Sequence, residues 1–439
     1  MLRRGKRGYP ATRFIRAMHS NTDLKMLDVI MELMAESSPP LSAIAGAIFG
    51  TWVLLSVTPR RFSRAKAGAA FSIAYQAYYD IWLHGQFFKQ VDYLHEKYGP
   101  VVRINPRELH INDPTFIDEV YAGNNKKRDK YKWQGRAVLL PDSLVATEPH
   151  DLHRKRRAAV NPYISKVNIR KLDPVVHESV ESIIKRLDES ANPGAKPFHT
   201  SWLLKQQHVT LSQAQLLVLA GQDTTAYTLS SLTHRILADP NVFNQLKQEL
   251  ETALPHPNQP LTSAHLEQLP CLTGIIQGGI CLHPGALVRQ SRVATKQDLV
   301  YPHPNGKKSW VILAGTPIAM DSRWCNLNPK FFPDPHAFIP ERWIENPRLD
   351  RYMLGFLEGA RIRPGMGLAC SGLYMILAGT FRRYELDDGT GKQKGPTLSL
   401  HETTFERDVD VKYDCLVPFP TQGSKGVQVK VRHGTGTKP

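Results

Sequence analysis

Cysteine is sparse in this chain of 439 residues: five thiols, Cys271, Cys281, Cys325, Cys370 and Cys415, with no C-x-x-C pair among them. That spacing excludes the common zinc motifs and a disulfide framework, and it suits a reducing compartment. Acidic side chains are also short in supply, 40 Asp and Glu against 56 Lys and Arg, for a formal net charge of +16. Such a balance suits an anionic membrane surface, acidic partner proteins or nucleic acid, although most charge of this kind is solvated surface. No nucleic-acid recognition motif accompanies it, so no nucleic-acid partner is expected. Internal repeats are absent, and 41% hydrophobic with 22% charged residues marks a folded globular chain.

Long apolar runs are nearly missing too, with one exception. Leu41 to Val57, LSAIAGAIFGTWVLLSV, is uncharged over 17 residues and is followed by Arg60, Arg61, Arg64 and Lys66. As a helix it covers roughly 25 Å, the short end of a membrane span, and Trp52 with the basic flank suits an interface. The expectation is a basic segment over 1–40, a single-pass membrane anchor over 41–57 and one catalytic-sized domain over 67–433. A buried helix or an uncleaved signal-like stretch is the alternative.

Periodicity predicts a mainly α chain with a smaller β portion. Ala67 to Tyr98 reads helical up to the Gly99-Pro100 stop, and Val101–Ile104 with Glu108–Ile111 reads as a hairpin. Helices are expected over 151–160, 168–187, 211–237, 242–253, 263–269 and 368–384, with short strands between Pro284 and Met320 and in the tail. In the long helix the run Ala220-Gly221-Gln222-Asp223-Thr224-Thr225 places an acid and hydroxyls where only hydrogen bonding makes burial tolerable. It reads either as a kink with a satisfied Asp–Thr pair or as a local opening that passes protons to a bound oxygen species.

Further motifs follow in order: Pro340-Glu341-Arg342-Trp343 after FFPDPHAF, then FLEGARIRPG before the closing helix. Together with ELHEKYGPVVRINPRELHI, HRKRRAAVNPYIS and HLEQLPCLTG, this order resembles the cytochrome P-450 family of haem-thiolate monooxygenases. It is most similar to the filamentous-fungal branch acting on terpenoid and other secondary metabolites. The resemblance implies that Asp223 and Thr224 assist oxygen activation above a haem. It also implies that His153, Arg157, Arg289 and Arg361 approach the haem propionates, since guanidinium groups suit carboxylates. Glu341 and Arg342 would belong to an ion-pair network behind the haem. A flavoprotein reductase using NADPH and a lipophilic small-molecule substrate are the implied partners. The implied location is the endoplasmic reticulum membrane, with the domain facing the cytosol. Each Arg also reads as ordinary surface charge, and His153 as one more member of a basic helix face.

Three departures stand against that resemblance. The family's haem loop, F-x-x-G-x-R-x-C-x-G, is matched by Phe356, Gly359, Arg361 and Gly365, but Arg363 stands at the ligand position. A guanidinium has donors and no acceptor, so it cannot coordinate iron as a thiolate does. Cys370 lies in the closing helix and re-registers too little of the loop to substitute. The family's E-x-x-R pair is also gone, with Gly278 and Cys281 in its places. Finally, the stretch between the 168–187 helix and the 211–237 helix is shorter than the family's, so the fold is expected to be shortened in the middle. The expected protein is a membrane-anchored relative without haem-thiolate monooxygenase activity, with haem itself in doubt and no other metal site. An active monooxygenase and a non-enzymatic ligand-binding or scaffold protein are the alternatives.

Overall fold

The computed structural model describes residues 73–435 apart from 124–125, 138–142, 193–196, 200–211, 303–305 and 307–308, and side chains are not described over 212–220. The segments expected at 1–40 and 41–57 lie outside the described residues. Among the described helices none is long and apolar enough to cross a membrane.

The chain is mainly helical with small sheets, as its periodicity predicts. The helices that position the site, labelled in chain order, are α1 Phe87–Tyr98, α2 His150–Val160, α3 Asp173–Ser190 and α4 Ser212–Ala238. They are followed by α5 Pro240–Ala253, α6 Pro270–Leu282, α7 Ser322–Asn326, α8 Glu341–Glu345 and α9 Met366–Arg383. Proline sits in the first turn of α3, α5 and α6, where its missing N–H has no helical partner to lose. The Asp239 carboxylate caps α5 by accepting from the Asn241 and Val242 N–H groups.

The main core gathers α3, α4, α5, α6 and α9 around Leu229, Leu232, Leu246, Leu272, Ile276 and Leu377, all essentially inaccessible. Close approach is made possible by glycine. A Cβ on Gly279 would lie 2.4 Å from the Leu232 side chain, so α6 can meet α4 there only without one. The end of α9 is tied down by Arg383, whose guanidinium donates to both Glu181 oxygens at 2.9 and 2.8 Å.

A five-stranded sheet forms a second centre. Its strands, labelled in chain order, are β1 Val101–Arg103, β2 Leu109–Ile111, β3 Asp129–Lys130, β4 Arg292–Val293 and β5 Pro317–Ala319. They lie in the order β1-β2-β5-β4-β3. The β3–β4 pair is antiparallel and sets Lys130 opposite Arg292. A four-stranded sheet of the tail pairs Thr397–Leu400 with Gln428–Arg432.

Two expected helices are broken. The 168–187 helix is two, Lys166–Arg170 and α3, because Pro174 has no N–H to continue the first ladder into the second. The first described segment is interrupted before α1 at His84 and Gly85, both with positive φ, and a Cβ on Gly85 would collide with the Asp414 backbone.

Candidate functional site

The glycine-rich turn before α9 is held by its own backbone. Gly359 has φ +69°, and a Cβ there would overlap the carbonyl oxygens of Tyr121 and Ala122. The Ala360 N–H donates to the Ala122 carbonyl at 3.2 Å, and the Arg363 N–H to the Phe356 carbonyl at 3.0 Å. The turn is therefore held by main-chain contacts that do not use the Arg363 side chain.

Around this turn stands a set of cations whose hydrogen-bond acceptors are neutral. Arg361 donates to the carbonyls of Thr147 and Glu148, both at 2.7 Å, while its Nε is buried with no partner. Arg157 donates to the Ile362 carbonyl and to Asn161 Oδ1, each at 2.8 Å. Lys130 Nζ donates to the Val145 carbonyl at 2.8 Å, and Arg292 to the carbonyls of Gln290 and Ser291 at 3.3 Å. Burial, then the charges of Arg292, Arg361 and Arg363, pushes the Lys130 ammonium down to about 7. His153, buried on α2, is pushed down to about 3 by burial and by Arg361, Arg157 and Arg292, so it is neutral at physiological pH. The Asp129 carboxylate acts on Arg361, and its Oδ1 also accepts the His150 N–H at 2.7 Å.

Arg363 completes the set. It is desolvated, which lowers its pKa, and its side chain makes no hydrogen bond or ion pair with a described residue. Of the cations expected from the sequence, His153, Arg157 and Arg361 come together here. Arg289 does not join them. Its Nε pairs with Glu108 Oε2 at 3.2 Å and its guanidinium lies over the Phe87 ring at 5.1 Å. Lys130 and Arg292 were missed. Their places depend on the β3–β4 register, which joins segments far apart in the chain, and Arg289 and Arg292 are equivalent on spacing alone.

On the other side, α4 carries Asp223 exposed, Thr224 half-buried and Thr225 buried. Thr224 packs on the chain after α6, since a Cβ on Gly285 would sit 2.6 Å from it. Thr228 Oγ1 donates to the His283 carbonyl at 2.9 Å and clamps the same junction. Among the described residues, no hydrogen bond or ion pair joins Asp223 to the cationic set.

The two positions that the resemblance gives to an E-x-x-R pair, Gly278 and Cys281, are packed here without charge. The place of a Gly278 side chain is taken by the Phe338 ring, 3.1 Å from where its Cβ would stand, and by Trp343. Cys281 Sγ donates to the Asn326 carbonyl at 3.3 Å, and Asn326 Nδ2 donates back to the Cys281 carbonyl at 2.9 Å. Asn326 Oδ1 also accepts the Leu354 N–H at 2.8 Å. Glu341 and Arg342 form no ion pair among the described residues. Arg342 donates to the Asp334 carbonyl at 3.3 Å, and its Nε is buried and unpartnered. The partners that a network would need are the two charges that α6 lacks.

These residues fit one half of an iron porphyrin and not the other. The cationic set is the right donor chemistry for two carboxylates. The position that the resemblance makes the metal ligand holds the Arg363 guanidinium, and no described thiol is suited to substitute. Cys370 is pushed up to about 12 by burial and then by Glu267, so it stays protonated. Cys271 and Cys281 are likewise pushed up to about 12, chiefly by burial, and Cys325 and Cys415 are raised for the same reason. No cluster of potential metal ligands occurs among the described residues.

Comparison with known proteins bears on this arrangement. The cytochrome P-450 family model matches residues 204–406. The cytochrome P-450 monooxygenase tpcC of Cochliobolus heterostrophus is 32% identical, over 83% of this chain and 90% of its own length. The cytochrome P-450 monooxygenase astB of Talaromyces wortmannii is 32% identical, over 81% and 90%. The tryptophan 6-hydroxylase fscE of Fusarium equiseti is 27% identical, over 83% and 90%. The tpcC alignment spans 476 positions, and 83% of 439 residues fills about 364 of them, so roughly a hundred positions of that relative have no counterpart here.

Proposed function

This chain belongs to the cytochrome P-450 family, and from that premise we propose that it does not carry out the family's haem-thiolate monooxygenation. The observation that carries the reading is Arg363. The family's cofactor is haem, and its chemistry draws on a thiolate that donates electron density to iron. Arg363 has no lone pair to give and brings a positive charge instead, which disfavours an electron-poor metal. No step through the cofactor follows from the residues present. The surviving chemistry is that of a cluster of cations around the turn and of a helix α4 that keeps Asp223 and Thr224. The test is the ferrous–CO spectrum of purified chain supplied with haemin. No thiolate-type Soret band is expected from the natural chain, and a gain of that band is expected from Arg363→Cys.

The same reading includes attachment to the endoplasmic reticulum membrane through 41–57, with the domain in the cytosol. Its support is the uncharged run and the basic flank that follows it. Release of the full chain from membranes by alkaline extraction would contradict that part.

A second reading is an active monooxygenase acting on a lipophilic secondary metabolite, supplied with electrons by an NADPH-dependent flavoprotein. The intact Ala220–Thr225 run and the unmatched hundred or so positions favour it, because an omitted exon would leave both. Transcript sequencing across 188–211 and 355–370 decides between them: a cysteine codon at 363 or an added exon supports the second reading, and the sequence as printed supports the first.

A further inference from the structure

We propose that the groove between α5 and the segment leading into α8 binds a neutral sugar, a disaccharide in size. The proposal is separate from the reading of Arg363 and holds whether or not haem is bound. Its first support is space. The groove has a volume of about 510 Å³, inside the roughly 300–1,000 Å³ usual for small-molecule sites, but its lining is mostly polar. The second is a pattern on α5. Asn241, Asn244, Gln245 and Gln248 recur at the i, i+3, i+4 and i+7 spacing that sets side chains on one helix face, and all four line the groove. Along the helix axis they span about 10 Å. Among the described residues, none of the four carboxamides makes a hydrogen bond. Asparagine is a poorer helix former than the Lys, Glu or Ala suited to an exposed face, so Asn244 weakens the helix it stands on. The third is the opposite lip. Phe338, whose ring is braced against Gly278, supplies apolar surface, and Glu341 supplies a carboxylate. Glu341 makes no hydrogen bond or ion pair with a described residue, and its charge acts on the Cys271 thiol, which burial, Glu249 and then Glu341 raise. At the end of the groove Asp239 uses Oδ1 to cap α5 and leaves Oδ2 without a described bond.

Hydrogen-bonding capacity selects the ligand. Each carboxamide offers two N–H donors and an accepting oxygen, and each sugar hydroxyl both donates and accepts, so the two match in both directions. The Asp239 and Glu341 carboxylates accept further hydroxyls and repel an anion, and no Lys, Arg or His lines the groove to offset them. A plain cation would pair with those carboxylates but offer the carboxamide N–H groups of α5 nothing that accepts. The Phe338 ring and the buried Val242 give the C–H face of a sugar ring an apolar bed.

The test is saturation-transfer NMR on the full chain with cellobiose, glucuronate and putrescine, with affinities then measured by titration calorimetry. Cellobiose is expected to bind saturably at one site, and more tightly than either charged probe. Asn244→Ala combined with Gln245→Ala should weaken cellobiose about fivefold or more, the effect of roughly one lost hydrogen bond. Both side chains are exposed and Ala is the better helix former, so the melting temperature of that variant should hold or rise. Lys392→Ala, at an exposed site in the tail, should leave the affinity unchanged. Absence of saturable cellobiose binding to the folded chain overturns the proposal. So does tighter binding of glucuronate or of putrescine, which assigns the groove to a charged ligand. Parent-like affinity in the double variant, or an equal loss in Lys392→Ala, overturns it as well.

Discussion

On the reading proposed above, two regions of the molecule lack a side chain that the family carries, and the surrounding structure differs between them. On α6 both members of a charged pair are gone together. Phe338 and Trp343 fill the space at Gly278, and Asn326 joins α6 to the Leu354 backbone with hydrogen bonds in both directions. At the turn before α9, a ligand has been exchanged for a cation, and no described residue has moved in to pair it. Packing that the fold requires has been repaired. The position of Arg363 is, on that reading, changed in kind, and its side chain has no described partner.

The comparison can be broken most severely at Gly278. Gly278→Glu would press an unpaired carboxylate into Phe338 and Trp343, and a loss of about 3–5 kcal/mol is expected in urea unfolding. Stability equal to the parent would show that the space is open and the repair imaginary. Asn326→Leu comes next. It strands the Leu354 N–H and the Cys281 carbonyl in the core, at a cost of about 2–4 kcal/mol. A change under about 0.5 kcal/mol would remove Asn326 as the replacement for the charged pair.

At the turn the signs reverse. Lys130 has its folded pKa lowered to about 7, by burial and by Arg292, Arg361 and Arg363, from an ordinary value of 10.5. Below pH 7 both states carry the proton and the full penalty of the buried charge is present. Between about 7 and 10.5 the unfolded state holds more protons, so stability rises with pH. Lys130→Met should therefore raise the melting temperature at pH 6, with the gain shrinking toward pH 10. A pH-independent difference would contradict the assignment. Arg363→Met carries the smallest effect, a gain of about 1 kcal/mol in unliganded protein, because it removes a desolvated charge with no described partner. A loss of similar size would reveal a partner for that guanidinium.

Much of this was legible beforehand. The helical order and the hairpin at β1 and β2 follow from local spacing, while the reading of Arg363 at a ligand position rests on the family resemblance. The stop after Tyr98 is marked by Gly99-Pro100 and stands where that signal puts it, while the helix expected over 242–253 begins two residues earlier, at Pro240. What sequence could not supply was register. Arg289 and Arg292 alternate along one short segment, and only pairing with Lys130 on β3 brings Arg292 to the turn while Arg289 meets Glu108. Asn326 was invisible for a similar reason. Nothing near it in the chain marks a lone Asn as the bridge between α6 and Leu354, and the empty positions at Gly278 and Cys281 told only what had been lost.

The most direct test is the ferrous–CO spectrum of the full-length chain after incubation with haemin, read beside that of Arg363→Cys. The account predicts no thiolate-type Soret band from the natural chain and its appearance in the variant. That band in the natural chain would mean that sulfur reaches the iron by a route the structure does not offer, and the account would be wrong.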